Sequence, residues 1–317
     1  MNANDKNKLL DDYINYIETI KGLSENSSKS YHYDLIVFFR FLKFRFHLVP
    51  EDISFDEIDI SDIDIELLSD VSLPDLYGFL SYAAKERHNS DYSRARKIAT
   101  LRSFFGYIVG KRKLLSVNPV DELERPKLPS RQPVFLTLDE SKRLLNAIKG
   151  RNKERDYAII TMLLNCGMRL SELTNIKLSD IKEDTLKVVG KGNKERTIYL
   201  NHAVLKALDN YLSIREIKEN MDLPFLFLSE QNNQISDRAV QHMLKKHLKV
   251  AGLDSDKISV HKLRHTAATL MYRYGETDIR SLQKILGHES ISTTEIYTHV
   301  DEEQLREAVG KNPLSDL

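Results

Sequence analysis

Residues 286–299 read LGHESISTTEIYTH, and the character of the whole chain turns on His288 and Tyr297 within that stretch. Upstream, HKLRH at 261–265 sets His261 and Arg264 one helical turn apart. Further back, GKGNKER (190–196) carries Lys191 and GMRLSEL (167–173) carries Arg169. Two arginines, a lysine, two histidines and a late tyrosine can form a cationic cradle for a phosphate, with a nucleophile to attack it. Any one of them alone reads as an ordinary surface or core residue. The set, in this order, carries the argument.

Each residue type suits its place. A guanidinium is a planar fork of donors that stays charged, so Arg169 and Arg264 can grip two phosphate oxygens and neutralise charge in a pentavalent transition state. Glu172, three residues after Arg169, can orient it. Lys191 stands between two glycines at a turn, where an ammonium can swing toward a leaving oxygen and protonate it. His288 follows Gly287, a residue suited to ending a helix, and can donate to a phosphate oxygen. A phenol with a pKa near 10 is a weak nucleophile, and nearby cations activate Tyr297 by lowering that value. Two competing sites are weaker. His261 and His265 have the i, i+4 spacing of a zinc pair, but Lys-Leu-Arg stands between them where a general-base glutamate belongs. Cys166 can be written as a thiol nucleophile, yet it ends the apolar run IITMLLNC, which suits a buried, inert thiol. GKGNKER lacks the strand–loop–helix setting of a phosphate-binding loop. No acidic cluster near these motifs resembles a two-metal nuclease.

The chain has 317 residues, enough for two domains, and its 41% hydrophobic and 30% charged content suits a globular protein. No apolar run approaches the ~20 residues of a membrane span. The opening MNANDKNKLLDDY has no signal-peptide core. One cysteine excludes an internal disulfide and fits a reducing cytoplasm. The net charge of zero hides an asymmetry: residues 49–84 hold ten acids and no Lys or Arg. The remainder is correspondingly basic, which leaves room for a nucleic-acid-binding face. The acidic run itself reads as a solvated loop with helix ends.

Residues 5–22 predict a first helix. A second, capped by Ser27 or Ser28, carries Tyr31, Leu35, Phe38, Phe39 and Leu42 on one face. Leu76, Phe79, Leu80 and Ala83 predict a third. A fourth has the stripe Ala95, Ile98, Leu101, Phe105 and Ile108. Its other side presents Arg96, Thr100, Ser103 and Tyr107 beside Lys97 and Arg102, a mix suited to a phosphate backbone. Residues 117–134 contain four prolines and mark the domain boundary, with Arg125 and Lys127 able to follow DNA across it. Thr137 and Glu140 form a capping box. Strands are expected at 185–189 and 195–200, joined as a hairpin through GKGNK. The pattern is helical from Asn201 on, with caps at Ser236/Asp237 and Ser259. A helix from 236 to 248 offers Arg238 and Lys245 for groove contacts. The fold class is thus mainly α, with a helical N-terminal half and an α-rich C-terminal half containing a small antiparallel sheet.

In combination, GMRLSEL, GKGNKER, HKLRHTAAT and LGHESISTTEIYTH resemble the tyrosine recombinase family of phage integrases and Xer proteins, as does NSSKSYHYDLIVFFRFL. The resemblance implies a core-type DNA-binding domain at 1–122, a linker at 123–134 and a catalytic domain at 135–317, clamped around DNA. It implies that Arg169, Lys191, His261, Arg264 and His288 assemble the scissile-phosphate site, with Glu172 in support. Tyr297 then attacks and releases a 5′-hydroxyl, which Lys191 protonates. The 3′-phosphotyrosyl link keeps the bond energy, so rejoining needs no cofactor and no metal. The partners implied are double-stranded DNA with a specific site and further subunits in a tetramer. The tail after Tyr297 (Leu305, Ala308, Val309) would dock on a neighbour. A second recombinase or an accessory protein fits the same scheme. The helical half begins almost at once, without an arm-binding domain, which favours an Xer-like (chromosome dimer resolution) or transposon-type recombinase. The acidic stretch is unlike a compact Xer chain and offers a surface for a partner. The alternative is a catalytically silent DNA-binding protein of the same fold.

Overall fold

The computed structural model describes residues 3–124, 126, 134–190, 195–215, 223–275, 277–288, 290 and 294. Lys191, Tyr297, Arg125, Lys127 and the tail beyond Tyr297 lie outside the described residues. The chain divides into two compact units, Met1–Ser130 and Arg131–Leu317.

The first unit is helical: α1 (Lys8–Thr19), α2 (Glu25–Arg45), α3 (Ile65–Ser69), α4 (Leu73–Lys85) and α5 (Asp91–Gly110). Helix α1 is shorter than the expected 5–22 because Asn7 caps it, its Oδ1 accepting from the amides of Leu9 and Leu10. Helix α2 begins after Ser24, earlier than a cap at Ser27 or Ser28 allows. Ser28 is instead buried, and its hydroxyl donates to Glu18. The core is aromatic. Tyr13 meets Phe104 edge-on at 5.3 Å, and Phe38 meets Phe79 at 5.1 Å, the geometry that ring quadrupoles favour.

Two readings of this unit need correction. The acidic run is not simply a solvated loop, because it is laid onto α2 by buried cations. Arg40 donates to Asp5 Oδ1 at 2.9 Å and to the carbonyls of Asp56 and Ile58. Lys43 Nζ donates to the Asp59 carbonyl at 2.9 Å and to both Asp62 oxygens at 2.7 and 2.8 Å. Asn7 fastens the same segment through the carbonyls of Ile60 and Ile63. The second correction concerns α5, whose polar side is not an open wet face. Lys97 and Thr100 are buried, and both donate to the buried carboxylate of Asp34 on α2, which also receives Arg96. Tyr107 is buried as well. The expectation failed because a Lys–Asp pair between helices looks, in one dimension, like two unrelated surface charges.

The second unit contains α6 (Leu138–Asn146), α7 (Lys153–Cys166), α8 (Leu170–Thr174), α9 (His202–Leu212), α10 (Asp237–Val250), α11 (Val260–Tyr274) and α12 (Ile279–Leu286). Its antiparallel sheet has the order β1 (Ile181–Lys182), β2 (Thr185–Val189), β3 (Glu195–Tyr199). Leu186 pairs with Ile198 and Val188 with Arg196. The hairpin stands where expected, and β1 adds a strand too short to show alternation in sequence. The capping box of α6 forms as expected: Glu140 N donates to Thr137 Oγ1, and Thr137 N to Glu140 Oε2. Helix α7 is buried nearly all round and packs against α9 and α11. It therefore acts as the pillar on which the functional motifs are hung. No described helix is long and apolar enough to cross a membrane.

Candidate active site

Helix α7 stops at Gly167, whose φ of 58° and ψ of 28° turn the chain left-handed. That reversal makes Arg169 the N-cap of α8. Its backbone amide donates to Glu172 Oε2 at 2.7 Å, and its Nη1 donates to Glu172 Oε1 at 2.9 Å. Its Nη2 reaches the carbonyl of Gly287 at 3.2 Å. Arg264 enters from α11, where it is 3% exposed. It donates to the carbonyls of Gly167 at 2.8 Å and Leu286 at 2.7 Å.

Both arginines thus hold the C-terminal end of α12, where helix carbonyls lack partners and the helix dipole is negative. Gly287 closes that helix with φ 65° and ψ 46° and hands the chain to His288. His288 Nδ1 lies 3.0 Å from the Oγ1 of fully buried Thr294. Gln283 pins the His288 backbone, donating to its carbonyl and accepting from its amide. His261, at the start of α11, is exposed, and its ring meets His265 edge-on at 4.5 Å.

The electrostatics of the cluster are dominated by burial and by positive charge. Burial first, then the charges of Arg264 and Arg169, push His288 down to about 4. His265 is pushed to about 4 by burial and by His261. His261 is lowered by partial burial and by Arg264. Burial and the neighbouring guanidiniums thus disfavour the charged form of all three imidazoles. Burial raises Glu172, but hydrogen bonds from Arg196 and Arg169 outweigh it and hold the carboxyl at about 2. Burial pushes the Cys166 thiol up to about 12, so the thiol-nucleophile alternative lacks its thiolate. Among the described residues, no group of three His, Cys, Asp or Glu is placed to hold a metal ion.

The structure brings together Arg169, Glu172, His261, Arg264 and His288. It also brings in Arg196, which the sequence reading passed over. Arg196 sits on β3 and donates through Nη1 and Nη2 to Glu172 Oε1 and Oε2, at 2.7 and 2.8 Å. A signal existed. Arg196 shares a strand face with Ile198, which is buried, and a cation on the inward face of a strand needs a partner. A groove of about 530 Å³ opens beside Arg169, bounded by Asn175, Lys177, Lys187 and Gly190, and Lys191 follows Gly190 in the chain.

The residues expected at DNA divide. Arg238 and Lys245 are exposed on α10. Arg96 is half-buried against Asp34, and Lys97 is wholly engaged there. Arg102 donates to the Leu123 carbonyl.

Residues 134–304 match the phage integrase family. The chain is 60% identical to tyrosine recombinase XerC of Caldanaerobacter subterraneus subsp. tengcongensis, over 97% of this chain and 87% of that protein. It is 36% identical to XerC of Thermodesulfovibrio yellowstonii, over 96% of this chain and 95% of that one. The crystal structure of the XerH site-specific recombinase in its post-cleavage complex with a palindromic difH substrate superposes with a TM-score of 0.71. That match is at 22% identity and covers 95% of this chain and 84% of XerH. Motif order, the paired arginines at one helix end and whole-chain similarity converge: this chain belongs to the phage integrase family and is a tyrosine recombinase of the Xer type.

Proposed function

We propose that Arg169, Lys191, His261, Arg264 and His288 receive the scissile phosphate of a duplex recombination site and that Tyr297 attacks it, forming a 3′-phosphotyrosyl link. The observation that carries this reading is the meeting of Arg169 and Arg264 at the end of α12, next to His288, whose imidazole is held down by burial first and then by those two charges. Such a cradle binds a dianionic pentavalent phosphate more tightly than a monoanionic diester, and that difference is catalysis. Glu172 orients Arg169. Lys191 protonates the departing 5′-oxygen. The free 5′-hydroxyl of a partner strand then reverses the attack and reseals the backbone, so phosphodiester count and bond energy are conserved.

XerH is captured with a palindromic site, and a symmetric arrangement of several subunits on paired sites suits this chain equally. We place the chain on chromosomal DNA in the cytoplasm as a tetramer, with the tail after Tyr297 docking on a neighbouring subunit. Residues 1–122 and 135–317 act as the two DNA-holding parts joined by 123–134. Exposed Arg238 and Lys245 contact the duplex, and Arg125 and Lys127 follow it across the linker. Two roles suit this chemistry: resolution of chromosome dimers, and integration or excision of a mobile element.

The test uses a duplex recovered by selection for binding and nicked beside the cleavage point, so that the cut fragment diffuses away. A covalent protein–DNA species is expected in the presence of EDTA and is absent for Tyr297→Phe. An adduct that persists in Tyr297→Phe, or that needs a divalent metal, overturns the reading.

A further inference from the structure

Arg196 is the one guanidinium of this cluster without a role in the phosphate reading, yet it makes the most complete contact. Its two terminal nitrogens take both oxygens of Glu172, while Nε donates to the Ile285 carbonyl at 3.3 Å. Its aliphatic part lies so close to Gly287 that a Cβ there would stand 3.0 Å from Arg196 Cδ. One side chain on β3 therefore touches the carboxylate that orients Arg169 and the helix end that both arginines hold.

The charges decide what this contact does. Glu172 is 2% exposed and faces two guanidiniums: Arg196, 13% exposed, and Arg169, 37% exposed. The buried carboxylate is gripped as a fork by the more buried cation. Arg169 makes a single side-chain bond to it, through Nη1. Without Arg196, a buried carboxylate with one cation in reach would close on Arg169 as a fork, the geometry that carboxylate and guanidinium prefer. Arg169 would then be both turned and neutralised.

We infer that Arg196 is a positioning residue for strand cleavage: by occupying both oxygens of Glu172, it keeps that carboxylate from capturing Arg169 and leaves Arg169 a full cation for the phosphate. The inference rests on the reading of Arg169 as a phosphate ligand. It makes the hairpin strand that follows Lys191 part of the same electrostatic unit as the α12 end.

The experiment is single-turnover adduct formation on the nicked duplex at saturating protein, with duplex affinity and thermal midpoint measured alongside. Arg196→Gln is expected to slow cleavage about 100-fold, the scale of a misplaced reacting group. Duplex affinity stays within about threefold, since many other phosphate contacts remain. The double variant Arg196→Gln/Glu172→Gln, which removes the capturing carboxylate, is expected to cleave about tenfold faster than Arg196→Gln, a coupling normal for side chains in contact. A purely structural role predicts the opposite order, because the double variant loses a second hydrogen-bonding partner. Arg196→Lys, which keeps the charge but lacks the fork, serves if the glutamine variant does not fold, with the same rescue expected from Glu172→Gln. Wild-type cleavage by Arg196→Gln, no rescue in the double variant, or failure of both single variants to fold each overturns the inference. Arg169→Ala separates the two ideas. If it is inactive while Arg196→Gln is fully active, only the role of Arg196 fails. If Arg169→Ala cleaves normally, the phosphate-ligand reading fails first.

Discussion

Gly167 governs more of the site than its size suggests. Its left-handed backbone turns the chain from α7 into the Arg169 cap, and its carbonyl anchors Arg264. A Cβ at this position would stand 2.8 Å from Leu286 Cδ2, against the helix end that carries His288. Gly167→Ala is therefore strained twice, in backbone and in packing, and should cost about 1–2 kcal/mol from the left-handed conformation alone. The clash should add to that and push α12 away from Arg264. Chemical denaturation measures the first effect, and the adduct assay should show a rate loss with duplex binding retained. Unchanged stability would mean that the turn adapts without moving α12. At this scale the sequence was readable where a residue's chemistry is local: Arg169, His261, Arg264 and His288 stand out by type and order. Arg196 stayed hidden because its partner, Glu172, is 24 residues away, and nothing in one dimension says that a strand arginine and a helix glutamate share a bond.

Among elements, the pairing of α2 with α5 is the clearest case of a structural role for residues that look like DNA contacts. Asp34 is 2% exposed and Lys97 3% exposed, with the ammonium 2.6 Å from the carboxylate. Replacing both by apolar residues can be neutral, but removing one leaves an unpaired buried charge. Asp34→Ala should thus destabilise the chain by about 3–5 kcal/mol, read from denaturant unfolding, and Asp34→Asn should be milder because it keeps the hydrogen bonds to Thr100 and Arg96. A cost below that of an ordinary surface substitution would return Lys97 to the pool of residues free to meet DNA. The acidic strap follows the same logic, with Arg40 and Lys43 on α2 taking up its carbonyls and carboxylates. Its composition was plain in the sequence. Its destination was not, because side-chain contacts over 16 to 19 residues have no periodicity to follow.

For the whole molecule, the arginine–histidine cluster stores an acid sensitivity. His265 and His288 titrate near 6.5 when unfolded and near 4 when folded, so between those values the unfolded chain binds protons that the folded chain refuses. Stability is complete above about pH 6.5 and declines as pH falls toward 4. Glu172 acts later: its folded value of about 2 lies below the unfolded 4.5, so its contribution is lost as pH falls from 4.5 toward 2. The thermal midpoint of the chain should fall steadily from pH 7 to pH 4. A bound duplex should flatten that slope, because phosphate favours the protonated imidazoles. A flat profile without DNA would show that the imidazoles are not held neutral.

The sequence by itself determined the family, the helical character, the hairpin and the order of the cationic motifs, because these depend on residue type and short-range spacing. Only the tertiary structure decided which charges are absorbed by the fold and which stay partly exposed at the cluster. Lys97 and Arg40 are absorbed by buried carboxylates and carbonyls, while Arg169 keeps an exposed edge because Arg196 takes the acid beside it. The physical reason is that a charge acquires its meaning from partner and burial, and both are set by contacts between residues that are far apart in the chain.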